Sequence, residues 1–225
     1  MTNYKSDKRK RYENIGLLLV ILFIFVHGVV RQDNIVAMVS AICGITYTFL
    51  AGQGRPICYL FGVTGSGFYS LLAFQSALWG NLVLYACYYL PMQILGYFRW
   101  NKNLKSDSSE IVKIRLPKKE LGLLIAILLF LTIGVYFLLI SFKDAHPVLD
   151  SITAVFSIGG MYLTVRRAIE QWIFWMGVNT LSLAMWIGVA LDGARVYSTV
   201  LMWAVYLFLA VYFYISWRKE INNNN

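Results

Sequence analysis

Charge is missing from the middle of every long apolar run in this chain. No Lys, Arg, Asp or Glu lies deep in one, and Asp150 only marks the start of the sixth. Charges inside membrane-spanning segments usually mark proton relays and ion-coupled pumps. Their absence argues against proton antiport, and it excludes a retinal Schiff base, which needs a buried lysine. Histidine is nearly absent as well: His27 and His146 are the only two, which weakens the case for an intramembrane hydrolase. Cysteine is scarce, and Cys43, Cys58 and Cys87 all fall within apolar runs. They read as small packing residues, not as disulfide partners or metal ligands. No metal or cofactor is called for.

What the chain does have is apolar length. Eight runs cover roughly 15–30, 35–51, 56–74, 78–98, 121–142, 148–165, 172–190 and 196–216. Each is close to the ~20 residues a helix needs to cross ~30 Å of hydrocarbon. With 59% hydrophobic and 14% charged residues, no soluble domain could hide this surface, and the gaps leave no room for one. The positive charges fall in alternate gaps. Of the 20 Lys and Arg, only Arg31, Lys143 and Arg195 sit on the minority side. The positive-inside rule then predicts eight spans with both termini cytoplasmic. The same pattern accounts for the net charge of +9 without nucleic acid. The first run has a basic flank like a signal peptide, but no A-x-A-like site follows, so it is expected to be retained.

The chain also resembles itself. At an offset of 115 residues Gly44 meets Gly159, Tyr47 meets Tyr162, and Gly62-Val63 meets Gly177-Val178; with two further residues allowed, Trp100 meets Trp217. Runs 2–4 and 6–8 are triplets of the same orientation, and run 5 is the single crossing that permits this. Parallel repeats with a site between them near the midplane are a transporter architecture. Glycines and tyrosines can also recur by chance in apolar helices. The longest gap, 99–120, contains Asn101, Asn103, Ser106, Asp107, Ser108 and Ser109 and reads as a flexible linker between the halves. Its basic cluster follows from topology, with a role at anionic headgroups as the alternative.

The seventh run is the richest in chemistry. Trp172, Trp175, Asn179, Ser182 and Trp186 are spaced 3, 4, 3 and 4 apart, which places them on one helix face. An amide needs partners in hydrocarbon, so the face should look inward; interfacial anchoring is the competing reading for Trp172. The fourth run offers Tyr85, Tyr88, Tyr89 and Gln93, with Trp79 near its start, and Pro91 should bend it. Together with Tyr47, these residues suit a flat polar ligand. Rings enclose a planar heterocycle and favour a cationic one, while the amides bond its substituents. Two other classes stay open: an intramembrane enzyme pairing His27 with Ser66 of Thr64-Gly65-Ser66-Gly67, and a receptor that binds without transport. Small residues in a span more often serve helix packing.

Three motifs carry a family resemblance. Asp150-Ser151-Ile152-Thr153-Ala154, then Glu170-Gln171-Trp172-Ile173-Phe174-Trp175 with Asn179 and Ser182, and Tyr88-Tyr89-Leu90-Pro91-Met92-Gln93 with Gly96 and Trp100 resemble the PnuC family, bacterial facilitators of vitamin-like compounds. The resemblance spans about 35 to 217. It implies an all-α integral membrane fold similar to SWEET transporters, with a 3+1+3 parallel-repeat core. One transmembrane domain would then divide into the N-terminus and extra helix (1–34), a first bundle (35–98), a linker loop and helix (99–142) and a second bundle (148–217). It implies uptake of nicotinamide riboside across the inner membrane by facilitated diffusion, without enzymatic activity, the substrate being trapped by a cytoplasmic kinase. It also implies a homotrimer. Thiamine is the alternative substrate within the family, and riboflavin a more distant one. The candidate substrate-binding residues are those of the aromatic and polar faces: Gln93, Asn179, Trp175, Trp186, Tyr85, Tyr89, Ser182, Trp172, Tyr47 and Trp79.

Overall fold

The computed structural model describes residues 2–31, 35–75, 82–106, 108–142, 147–191 and 197–223. Each apolar run becomes a helix: α1 (Thr2–Arg31), α2 (Ile35–Gly52), α3 (Cys58–Gln75), a π-helical turn (Leu84–Tyr89) leading into α4 (Leu90–Asn101), α5 (Lys118–Ser141), α6 (Pro147–Val165), α7 (Gln171–Leu191) and α8 (Tyr197–Asn223). Among the described residues, β-structure is confined to the isolated bridges Leu104–Ile111 and Ile114–Ala168. Four helical segments are long and apolar enough to cross a membrane by length and composition: Arg11–Val30, Lys118–Ser141, Pro147–Val165 and Val200–Asn223.

Helices α2, α3 and α4 pack in sequence, as do α6, α7 and α8, and the triplets meet crosswise, α4 against α6 and α8 against α2. Two tryptophans fasten these crossings. The Trp100 indole N–H at the end of α4 donates to the Thr164 carbonyl of α6 at 2.9 Å, and that of Trp217 near the end of α8 donates to the Gly52 carbonyl of α2 at 2.6 Å. Both rings are fully buried. Each is met edge-on by an aromatic ring from the first turn of its triplet's middle helix, Tyr59 on Trp100 at 5.1 Å and Trp172 on Trp217 at 5.6 Å. Gly52 has to be glycine, because Phe213 occupies the space a Cβ would need.

The two corners between helices are built alike. After α2, the N–H groups of Gln53, Gly54 and Arg55 donate to the carbonyls of Phe49, Ala51 and Leu50; after α6, those of Arg166, Arg167 and Ala168 donate to Tyr162, Thr164 and Leu163. The bonds of Cys58 to Arg55 and Tyr59 to Pro56 recur as Gln171 to Ala168 and Trp172 to Ile169. Every pair is offset by 113 residues, two fewer than the offset at which the glycines and tyrosines coincide. Gly44 and Gly159 accordingly face different neighbours, Tyr206 in one case and Leu128 and Phe174 in the other.

The linker between α4 and α5 departs from the expected flexibility. Ile111 N–H donates to the Gly54 carbonyl and Ile114 N–H to the Arg167 carbonyl, so one strand of chain is tied to both corners. Ile111 and Leu116 are buried. Polar Asn and Ser residues signalled a loop correctly, but backbone groups of the two corners were available to hold it. Lys105 and Lys113 both pair with Glu220 of α8, and the Lys113 ammonium also lies 5.2 Å from the Trp217 ring centroid. Burial pushes the Glu220 carboxyl up, but the two lysines more than reverse this and hold it below the usual carboxylate range. Helix α1 packs on α2 and is tied at its charged end, where Gln53 donates to Glu13 and Asn14, each at 3.2 Å, and the Tyr212 hydroxyl donates to Glu13.

Candidate functional site

Proline decides the shape of the fourth helix. In an α-helix Pro91 would leave the carbonyl four residues back without a donor and clash with it. The chain answers with a π-helical turn: Leu90 N–H donates to the Tyr85 carbonyl five residues back, and α4 restarts with Pro91 in its first turn, where no N–H is needed. The expected bend is therefore a widened turn, and it carries Tyr85, Tyr88 and Tyr89.

Those tyrosines point between the triplets. Tyr85 stacks on Tyr69 of α3 at 4.1 Å and meets Tyr89 edge-on at 4.8 Å. Tyr88 donates its hydroxyl to the Ile158 carbonyl of α6 at 2.8 Å, next to the buried Ser157. The Tyr206 hydroxyl of α8 stands against Gly44 of α2. One turn further on is Gln93, buried against Gly62 of α3 alongside Tyr47 of α2. Its Oε1 is buried without a hydrogen-bond partner among the described residues. The Tyr47 hydroxyl reaches the Met161 sulfur of α6 at 3.6 Å.

From the second triplet, α7 turns Trp172, Asn179 and Ser182 inward; all three are buried. A buried amide and hydroxyl on one face need polar partners, since each left without one costs on the order of 1–3 kcal/mol. Trp175 is half-buried, lies over Gly160 and donates to the Thr164 hydroxyl at 3.2 Å.

The structure thus brings Tyr47, Tyr85, Tyr89 and Gln93 into one cluster, and places Trp175, Asn179 and Ser182 on the inward face of α7. Trp172 is different: it stacks on Phe213 and meets Trp217, within the fastening between triplets. Trp186 lies on α7 but its side chain, like Trp79 altogether, is outside the described residues. Sequence reasoning passed over Tyr69, Ser157 and Tyr206. The 3-residue spacing of Trp203 and Tyr206 on α8 was a signal for the last. Tyr69 and Ser157 carried none, since single hydroxyls in apolar runs are common.

A cavity of about 430 Å³ lies elsewhere, between α1 and α2, lined by Phe25, Gly28, Val29, Ile35, Met38, Val39 and Ile42. It has no polar group to orient a ligand, so the tyrosine and amide cluster is the better candidate. Among the described residues, no group of three His, Cys, Asp or Glu could hold a metal ion.

A family model described as nicotinamide mononucleotide transporter matches residues 34–219. The chain belongs to this family. It is 31% identical to the nicotinamide riboside transporter PnuC of Haemophilus influenzae over 224 residues, 96% of this chain and 93% of that one. The PnuC of Neisseria mucosa, of the same description, is 29% identical over 95% of this chain and 83% of its own length. A solved structure, the crystal structure of the vitamin B3 transporter PnuC, matches with a TM-score of 0.81 at 29% identity, covering 95% of this chain and 93% of that one. The family is the one the three motifs resembled, and the chain is a multi-pass membrane protein of a transporter family.

Proposed function

We propose that this chain takes up nicotinamide riboside by facilitated diffusion, driven by phosphorylation of the substrate inside the cell. The observation that carries the reading is the match of nearly the whole chain to relatives described as nicotinamide riboside transporters. The interior chemistry supports it. A planar cationic ring suits a cluster of tyrosines with Trp175 beside it; the unpartnered Gln93 Oε1 and the buried amide of Asn179 suit a carboxamide or ribose hydroxyls. No buried carboxylate is needed to pair the cation. The full topology belongs to the same proposal: eight spans in the bacterial inner membrane, both termini cytoplasmic, a SWEET-like 3+1+3 core, and a homotrimer working with a cytoplasmic kinase. The four domain segments drawn from the sequence are part of it. The crosswise contacts of α4 with α6 and α8 with α2 favour such a core.

Proteoliposomes loaded with a riboside kinase and ATP test the function. Accumulation of phosphorylated nicotinamide riboside, dependent on the kinase, is expected. Product formed without the kinase would mean an enzyme, and binding without accumulation a receptor. Titration calorimetry with nicotinamide riboside, thiamine and riboflavin ranks the substrates. Thiamine bound at micromolar affinity with no heat from the riboside would overturn the assignment.

A further inference from the structure

The two matching corners share a left-handed position but not the residue that fills it. Each contains a residue in the left-handed region, Gly54 at φ 74° and Arg167 at φ 62°. Glycine takes that conformation without strain, and a long side chain does not. Tying the linker does not call for arginine, because in both corners the backbone carbonyl makes that bond. Among the described residues, the Arg167 side chain adds a single bond, from Nη1 to the Val112 carbonyl at 2.8 Å, and its Nε is buried with no partner. A guanidinium offers five donors.

Its neighbours deepen the imbalance. Arg99, at the end of α4, is exposed and has no side-chain partner among the described residues. Arg166 donates to the Tyr162 hydroxyl at 2.9 Å and to Glu120 at 3.0 Å. Burial, then the charges of Arg99 and Arg166, hold the Arg167 guanidinium below its ordinary value. The Trp100 bond to the Thr164 carbonyl brings the end of α4, and Arg99 with it, to the end of α6, which Arg166 and Arg167 follow; Glu120 is the carboxylate paired to any of the three among the described residues. Glu120 is half exposed, and an ion pair that open to water is weak and exchangeable. The arginines stand where the exposed apolar wall formed by Ile94, Leu95, Tyr97 and Phe98 of α4 ends, at the charged end of the bundle. Planar, bidentate donors of this kind match the oxygens of a phosphate group.

We propose that Arg99, Arg166 and Arg167 form a phosphate-binding site at the charged end of the molecule. Two sources can present phosphate there: the phosphodiester of an anionic lipid headgroup, and a free phosphate ion. Binding is read as the rise in thermal unfolding temperature of the purified full chain in detergent. Phosphatidylglycerol is compared with phosphatidylcholine, and inorganic phosphate with chloride at equal ionic strength. A rise with phosphatidylglycerol alone assigns the site to lipid. A rise with inorganic phosphate assigns it to phosphate from any source. In either case Arg99→Gln/Arg167→Gln should weaken the apparent affinity at least tenfold. Arg167→Gly serves as the second variant, since it keeps the left-handed corner while removing the guanidinium, and it should weaken affinity in the same direction. Lys102→Gln/Lys119→Gln removes two positive charges nearby and should leave the affinity within twofold of the parent. No rise over either control overturns the proposal. So does an equal loss in the lysine variant, which would reduce the effect to general surface charge, or full retention in both arginine variants.

Discussion

The two triplets share a frame and differ in what they put inside it. Their corners use the same hydrogen bonds, their middle helices open with a buried ring, and their last helices each end in a tryptophan that fastens to the other triplet. The contents diverge. Counting back seven residues from each tryptophan gives Gln93 in α4 and Ala210 in α8; counting back nine gives Pro91 and Phe208. The first triplet therefore has a π-helical turn full of tyrosines, while α8 runs unbroken from Tyr197 to Asn223. Eight residues into the middle helices, Ser66 of α3 answers Asn179 of α7. A small molecule with a ring at one end and a sugar at the other has no two-fold symmetry, so a pocket that grips it cannot have one either. The frame can stay symmetric because it only has to let two similar bodies pack and move against each other.

The largest test of that comparison is on the frame. Trp100→Ala and Trp217→Ala each remove a fully buried ring and its hydrogen bond, at a cost of about 3–5 kcal/mol. The two losses should be similar in thermal unfolding or denaturant titration in detergent. If only one variant is destabilised, the fastenings are not equivalent and the shared frame is an accident of local geometry.

A smaller effect is expected in the contents. Gln93→Ala and Asn179→Ala each remove a buried amide, and the Gln93 Oε1 has no partner among the described residues. Binding of nicotinamide riboside should weaken by about 1–3 kcal/mol, roughly tenfold or more, with little change in unfolding temperature. Calorimetry gives the first quantity and scanning fluorimetry the second. Unchanged affinity together with a lower unfolding temperature would identify these amides as contacts between helices.

The smallest effect concerns the widened turn. Pro91→Ala supplies the missing N–H and lets the turn revert to an α-helix. Because no side-chain contact of Tyr85 or Gln93 is deleted, binding should change little while uptake into proteoliposomes slows. Normal uptake would mean that the turn is a static fit to Tyr69 and the Ile158 carbonyl.

Legibility followed the range of the interaction. The inward face of α7 could be read directly, because a helix repeats every 3.6 residues and an amide cannot face hydrocarbon. Asn179 and Ser182 were found by that rule alone. Gln93 was found in the same way, but its packing against Gly62 and Tyr47 was not, since that contact joins three helices. Trp172 met the same spacing rule and serves instead in the fastening with Phe213 and Trp217, as spacing cannot tell which neighbour an inward ring meets. The linker misled for a related reason: its composition is that of a loop, and only the folded corners offer it the carbonyls of Gly54 and Arg167.

The sequence by itself determined the helical class, the number and order of the apolar segments, the segregation of charge and the family. These depend on apolar length, on charge position and on local motifs, all of which act within a few residues of where they are written. Tertiary structure alone decided the 113-residue register of the two corners, the exchange of tryptophans between triplets, the π-helical answer to Pro91 and the meeting of the end of α4, with Arg99, and the end of α6, which Arg166 and Arg167 follow. Each depends on which distant backbone or side chain occupies the facing position, and that is settled only when the helices pack.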